Sequence, residues 1–305
     1  MTNDPDGSPE AWKNAPAVRL WPGVPPGGNF AKPAALTDDF APEMLANWPA
    51  DFLRWIQTPE LRVFRPQRAN GAAVLVMPGG GYAFLSIRNE GTDIVGRLNR
   101  YGYTVFVLVY RLPNEGWRPR WAVPLIDAQR AMRLIRARAT EFGVDPARVA
   151  ALGFSAGGNL AANLATRFAQ QLHDPVDAID AQDPRPAAVG LIYPVITMRA
   201  PATHALSRRL LLGTEPAAEL VARCSAESHV DAATPPLFLA HALDDAKVPA
   251  DNSLMMAAAC RAAKRPCELH LLQEGGHGFG VGSEGTPASL WPDLFHLWLA
   301  RNDIA

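Results

Sequence analysis

The segment Thr104–Tyr110 (TVFVLVY) is apolar on both faces and rich in β-branched and aromatic residues. A strand of this kind cannot leave one side in water. It belongs at the centre of a parallel sheet with helices packed on both faces. The remainder of the chain supplies such a frame. Candidate strands at Val18–Trp21, Leu61–Phe64, Ala73–Met77, Arg148–Leu152, Val189–Tyr193, Leu237–His241 and Glu268–Leu272 alternate with helical patterns. The helices fall at about Glu90–Arg100 and at Leu125–Thr140, Ala156–Ala169, Ala250–Ala263 and Ser289–Arg301. This alternation predicts an α/β chain with a mostly parallel eight-stranded sheet, and the spacing leaves room for the crossovers that parallel neighbours need. No break marks a second domain, so residues 1–305 are expected to form one. Residues 1–60 read as a loop-rich N-terminal segment. Residues 196–234 read as a small insertion after the sixth strand, a cap or pocket wall.

Composition narrows the function classes. With 48% hydrophobic and 19% charged residues, the chain can bury a large core. Lys and Arg number 29 against 30 Asp and Glu, a net charge of −1 that offers no electrostatic footprint for nucleic acid or an acidic membrane surface. The longest apolar run, Tyr103–Tyr110, is too short to span a bilayer. The opening MTNDPDGSPE is polar and acidic, so the chain as given is expected in the cytoplasm. A periplasmic or secreted placement follows only if a leader was removed. Cys224, Cys260 and Cys267 have no metal-ligand spacing and read as reduced, mostly buried thiols. The 28 prolines suit many short elements joined by fixed turns. On the helix at Leu125–Thr140, Arg130, Arg133, Arg136 and Arg138 are expected to face solvent, and Asp174–Asp183 is expected to be an exposed acidic loop.

The residues that carry chemistry begin with Gly153-Phe154-Ser155-Ala156-Gly157-Gly158, between a strand and a helix. A sharp strand-to-helix turn crowds side chains two before and two after its central residue, which calls for glycine there. The turn lifts the Ser155 hydroxyl above the sheet edge at the positive end of a helix. The spacing G-x-x-x-G-G differs from the G-x-G-x-x-G of dinucleotide sites.

A serine becomes an effective nucleophile when a base takes its proton and donors stabilise the oxyanion. Pro78-Gly79-Gly80-Gly81-Tyr82 follows the strand Ala73–Met77, where serine esterases carry a glycine-rich loop. Its Gly80 and Gly81 N–H groups, with that of Ala156, are the expected oxyanion donors. Among seven histidines, His270 and His296 fall on a strand and a helix and read as structural. His173, His204 and His229 precede the penultimate strand and break the order nucleophile, acid, base, and His241 precedes the acid candidates. His277, on the glycine-rich loop Glu274–Gly280 after the last strand, is the expected base. Asp244 and Asp245 compete as the acid in His241-Ala-Leu-Asp-Asp-Ala-Lys-Val-Pro249. Asp245 is preferred for its position just before the Val-Pro that opens the next helix. Its task is to hold the imidazole tautomer and stabilise the imidazolium. A metal site at His241, Asp244 and Asp245 lacks further ligands.

With these residues in place, the sequence resembles the α/β-hydrolase superfamily. More narrowly, it resembles the bacterial acetylxylan-esterase-like carbohydrate esterases, often labelled xylanase. The resemblance runs through Leu20-Trp21-Pro22-Gly23, Met77–Tyr82, Asn89-Glu90-Gly91, Val109-Tyr110-Arg111-Leu112, Pro124–Ala128, Gly153–Gly158, Thr234-Pro235-Pro236 and Gly276–Gly280. Pro78 stands where related lipolytic esterases carry histidine. The resemblance implies an α/β-hydrolase fold and hydrolysis of small acyl esters, most of all O-acetyl groups on xylo-oligosaccharides or xylan, by acyl transfer to Ser155 and deacylation by water that His277 activates. It implies no metal or organic cofactor, a small-molecule or oligosaccharide ester as partner, no nucleic acid or membrane, and a monomer or homodimer. Arg111 and Asp127 read as buried structural partners. Trp117 and Trp121 could form a sugar-stacking wall or simply pack, and Tyr82 is a candidate for lining the acyl pocket.

Three readings compete: a serine carbohydrate esterase, a general short-chain carboxylesterase or feruloyl esterase, and a non-catalytic binding protein of the same fold. A glycosidase would need paired carboxylates flanking a bond, where this sequence offers a serine triad.

Overall fold

The computed structural model describes residues 9–32, 40 and 42–305. Residues 1–8, which carry most of the leader reading, lie outside this set. The strands are β1 (Ala17–Arg19), β2 (Phe52–Leu53), β3 (Glu60–Phe64), β4 (Ala73–Met77), β5 (Leu85–Ser86), β6 (Thr104–Val109), β7 (Val149–Phe154), β8 (Val189–Ile192), β9 (Leu237–Ala242) and β10 (Cys267–Leu272). Eight of them form one sheet in the order β1-β3-β6-β4-β7-β8-β9-β10. The pairs β1·β3 and β3·β6 are antiparallel, and the rest, from β6 to β10, are parallel. These eight coincide with the eight stretches expected from the sequence, to within two residues at either end. The short ribbon β2·β5 had no sequence signal, since two residues on each side carry no periodicity.

The apolar character of the central strands divides cleanly between two cores. From β4 and β6, Leu75, Met77, Phe106 and Leu108 join the side chains of α4 (Val123–Ala137) and α6 (Ser155–Arg167) on one face. Their neighbours Val74, Val76, Val105 and Val107 join α3 (Asp93–Arg100) and α10 (Trp291–Arg301) on the other. Leu75, Val76, Phe106 and Val107 are wholly buried, and each such side chain stabilises the fold by roughly 1.5–3 kcal/mol. Helix α3 is preceded by a π-helical turn at Arg88–Thr92, a feature frequent near functional sites.

Two sequence expectations need correction. Arg130 does not face solvent: it is 1% exposed. It donates to Leu20 O at 2.8 Å and to Asp177 at 2.7 and 2.6 Å, and it pairs with Asp180 at 3.0 Å. The acidic stretch is therefore not a free loop. Its turn Ala178–Ala181 packs on α4 and Asp180 is buried against the arginine. Arg133 also serves this turn, through Gln182 O. Helical periodicity could not anticipate a second layer covering what reads as the polar face. Arg111 and Asp127 are the fully buried pair expected, bonded at 2.7 Å, with Trp21 Nε1 donating to the same carboxylate.

Between β8 and β9 the chain forms α7 (Ala205–Leu212) and α8 (Ala218–Arg223), within the stretch expected as an insertion. Helix α9 (Asp251–Ala262) follows β9. Among the described residues, no helix is long and apolar enough to cross a membrane.

Candidate active site

Strand β7 ends at Phe154 and α6 begins at Ser155 with no intervening loop. The turn forces Ser155 to φ +50°, a left-handed conformation that costs a non-glycine residue about 1–2 kcal/mol. Glycine is required on either side because of close backbone approach. A methyl on Gly153 would lie 2.3 Å from Gly157 O, and one on Gly157 would lie 2.1 Å from Met77 O.

Ser155 Oγ lies 2.8 Å from His277 Nε2, and His277 Nδ1 lies 2.7 Å from Asp245 Oδ2. Strand ends position all three: β7 supplies the serine, the loop after β9 the aspartate, and the loop after β10 the histidine. The other oxygen of Asp245 accepts the N–H groups of Lys247 and Val248, each at 2.9 Å. Burial raises the Asp245 carboxyl, but hydrogen bonds from His241, His277 and Val248 outweigh it and hold the group well below the usual carboxylate range. Ionised Asp245 thus faces Nδ1, which leaves Nε2 to accept the Ser155 proton. This geometry is suited to generating a serine nucleophile.

The neighbouring Asp244 is exposed and accepts the Gly276 N–H at 2.8 Å. It ties down the histidine loop rather than touching the ring. His241 is wholly buried and lies within hydrogen-bond distance of Ser253 Oγ, Val248 O and Asp245. Among the described residues, no group of three or more His, Cys, Asp or Glu side chains could hold a metal ion.

The glycine loop after β4 passes directly over the serine, since a methyl on Gly79 would meet Ser155 Cβ at 2.8 Å. Gly80 and Gly81 adopt φ +124° and +65°, a backbone conformation that favours glycine. Ala156 follows the serine in the first turn of α6, where backbone N–H groups lack helical acceptors.

The sequence assigned no role to Asn89 and Glu90 beyond the resemblance. In the structure, the buried Glu90 carboxylate accepts the Gly79 N–H at 2.7 Å and bonds the Tyr193 hydroxyl, and that hydroxyl accepts the Gly280 N–H at 3.1 Å. Asn89 Nδ2 donates to Gly278 O at 2.9 Å. One turn of π-helix therefore holds both the glycine loop and the histidine loop. The only clue in the sequence was a polar Asn-Glu-Gly at the start of a helical pattern.

Three residues weighed for the pocket make packing contacts of their own. Tyr82 is 2% exposed and donates its hydroxyl to Asn159 Oδ1 at 3.0 Å, so its ring supports α6 and does not open to the site. Trp117 is buried beneath the Arg111 guanidinium, 4.9 Å from its ring centre, and against Phe30. Trp121 is half-buried between the guanidiniums of Arg167 and Arg223, at 5.2 and 5.1 Å. The buried Trp117 indole is not free to stack on a sugar. Arg111, six residues away, covers Trp117, and Arg167 and Arg223, distant in sequence, flank Trp121. Conversely His204, set aside on chain order, stacks beside His277 with ring centres 6.5 Å apart. His270 and His296 have structural partners, Glu268 and Tyr103, at 2.8 and 2.9 Å.

The BD-FAE family model matches residues 61–260. An acetylxylan esterase of Xylanibacter ruminicola is 34% identical over 224 residues, covering 72% of this chain and 43% of that protein. The endo-1,4-beta-xylanase B of Butyrivibrio fibrisolvens is 35% identical over 211 residues, covering 69% of this chain and 33% of that protein. The match thus spans less than half the length of either relative. The crystal structure of an acetyl ester-xyloside bifunctional hydrolase from Caldicellulosiruptor lactoaceticus superimposes with a TM-score of 0.75 at 32% identity, covering 95% of this chain and 97% of that one.

Proposed function

The chain belongs to the BD-FAE family of α/β hydrolases, and from that premise we propose that it is a carboxylic ester hydrolase that removes O-acetyl groups from xylo-oligosaccharides or xylan. The observation that carries the reading is the continuous hydrogen-bonded chain Ser155 Oγ, His277 Nε2, His277 Nδ1 and Asp245 Oδ2, at 2.8 and 2.7 Å. Ser155 attacks the acetyl carbonyl as its proton passes to His277 Nε2. The tetrahedral oxyanion is received by the N–H groups of Gly80, Gly81 and Ala156, each such donor being worth about 3 kcal/mol in the transition state. His277 then gives its proton to the departing sugar oxygen, leaving Ser155 acetylated. Water, deprotonated by the same nitrogen, attacks the acetyl-enzyme, and His277 returns that proton to Ser155 Oγ as acetate is released. Asp245 holds the ring and stabilises the imidazolium throughout. Residues 196–234 serve as a wall of the pocket in a single catalytic unit.

Acetate released from acetylated xylo-oligosaccharides, compared with hydrolysis of p-nitrophenyl acetate, p-nitrophenyl butyrate and a feruloyl ester, tests the reading. Release from the sugar ester at a kcat/KM matching or exceeding that for the aryl acetate supports it. Activity confined to the aryl esters would replace it with a general short-chain carboxylesterase, and a preference for the feruloyl ester with a feruloyl esterase. No labelling by a fluorophosphonate would favour a non-catalytic binding protein.

A further inference from the structure

His204 enters the site from the insertion, at the boundary of α7. Its ring lies nearly parallel to that of His277, at an interplanar angle of 23°. It also borders the glycine loop, because a methyl on Gly81 would come within 3.7 Å of His204 Cε1 and 3.2 Å of Leu206 Cδ2. The imidazole therefore flanks both the oxyanion donors and the base that protonates the leaving group.

The tautomer follows from its second-layer partner. Ser207 is wholly buried, and its hydroxyl lies 2.8 Å from His204 Nδ1. Among the described residues that hydroxyl has no other acceptor for its proton, and a buried O–H left without one is costly. The hydroxyl therefore donates to Nδ1, which places the ring proton on Nε2. Among the described residues, Nε2 has no hydrogen-bond partner. Burial, reinforced by His277 and Lys247 and opposed by Asp245, pushes this histidine down to about 4, so the ring is neutral at working pH. It adds a donor without adding a second positive charge beside His277.

We propose that His204 Nε2–H is a specificity-determining donor that recognises a hydroxyl adjacent to the esterified oxygen on the alcohol half of the substrate. The proposal rests on the ester-hydrolase reading and deepens it by naming the alcohol class: vicinal diol monoesters, of which partly acetylated sugars are one kind. The ring that carries the donor stands beside His277, the residue that would protonate the departing alcohol. A simple alkyl or aryl ester leaves it unpaired, whereas a neighbouring hydroxyl satisfies it.

The test compares two acetates that differ by one hydroxyl, trans-2-hydroxycyclohexyl acetate and cyclohexyl acetate. The wild-type enzyme should favour the hydroxylated ester by about tenfold in kcat/KM, the scale of one well-made hydrogen bond. His204→Phe, which keeps a ring but loses the donor, should bring that ratio close to unity. His204→Gln, which keeps a donor, should restore part of it. If the phenylalanine variant fails to fold, Ser207→Ala decides, since it releases the tautomer and should lower the ratio. A ratio unchanged in His204→Phe, or no preference in the wild type, overturns the proposal while the ester-hydrolase reading stands. Hydrolysis of neither acetate, nor of any aryl ester, overturns both.

Discussion

The buried carboxylate of Glu90 accepts the backbone N–H of Gly79 at 2.7 Å, and this bond sets the height of the glycine loop above Ser155. Through Tyr193 the same carboxylate is linked to Gly280 on the histidine loop. Glu90 is thus a positioning residue for two loops that are nearly two hundred residues apart in the chain. Glu90→Gln replaces an acceptor with a group that can turn an amide N–H toward Gly79. The expected result is a kcat lowered by about tenfold or more with little change in KM, since one misplaced oxyanion donor costs up to about 3 kcal/mol. Steady-state kinetics on p-nitrophenyl acetate reads both constants, and an unchanged kcat would remove Glu90 from this role.

Ser155→Ala should abolish fluorophosphonate labelling and lower kcat by about 10⁴-fold or more. Asp245→Asn should cost about 10⁴-fold by disturbing the tautomer of His277. Asp244→Ala, which loses only an anchor on Gly276 N–H, should cost less than about tenfold. Equal losses in the two aspartate variants would contradict the assignment of the acid.

Gly157→Ala would drive a methyl to within 2.1 Å of Met77 O. Neither partner is a flexible side chain, so β4 and the elbow must separate. A destabilisation of roughly 2–3 kcal/mol is expected, lowering Tm by about 3–5 °C in a chain of this size. A calorimetric scan within about 1 °C of wild type would mean that the elbow yields more easily than its contacts imply.

His204 titrates near 6.5 when unfolded and is pushed down to about 4 in the folded chain, first by burial and then by His277 and Lys247. Between those values the unfolded chain binds the proton and the folded chain does not. Stability therefore falls as pH drops from 6.5 toward 4 and gains nothing from this group above 6.5. Urea midpoints measured across that window should decline less steeply in His204→Phe than in wild type. Parallel slopes would show that the histidine is not held neutral.

Arg130→Ala should destabilise the fold by about 3 kcal/mol, because it leaves the buried Asp180 without its closest cation. Arg136→Ala, on a more exposed part of the same helix, should cost less than about 1 kcal/mol. Chemical denaturation of the two variants separates a buried ion pair from exposed hydrogen bonds to the Pro146 and Asp183 carbonyls.

What could be read early was whatever depends on neighbours in sequence. The strand β6 announces burial on both faces because five of its six residues, Val105–Val109, are apolar in succession. The elbow at Gly153–Gly157 is legible because its steric demand falls within five residues, and the Ser155, Asp245 and His277 candidates follow from their places after β7, β9 and β10. Arg130 was misread because a helical wheel knows only its own helix, and the covering turn lies at Ala178–Ala181. Tyr82 was misread for the same reason, and of the two readings open for Trp117 the structure shows packing. An exposed tyrosine and one bonded to an asparagine distant in the chain have identical local sequence.

The sequence by itself determined the sheet, its two-sided core and the order of the three residues that meet at its edge, since backbone sterics and hydrophobic periodicity act locally. Only the tertiary structure decided that Asp245 and not Asp244 faces His277, that Glu90 holds two loops at once, and that His204 stands beside the base. Each of these depends on the direction of a side chain across a gap closed by folding, and a direction in space has no signature in the order of residues.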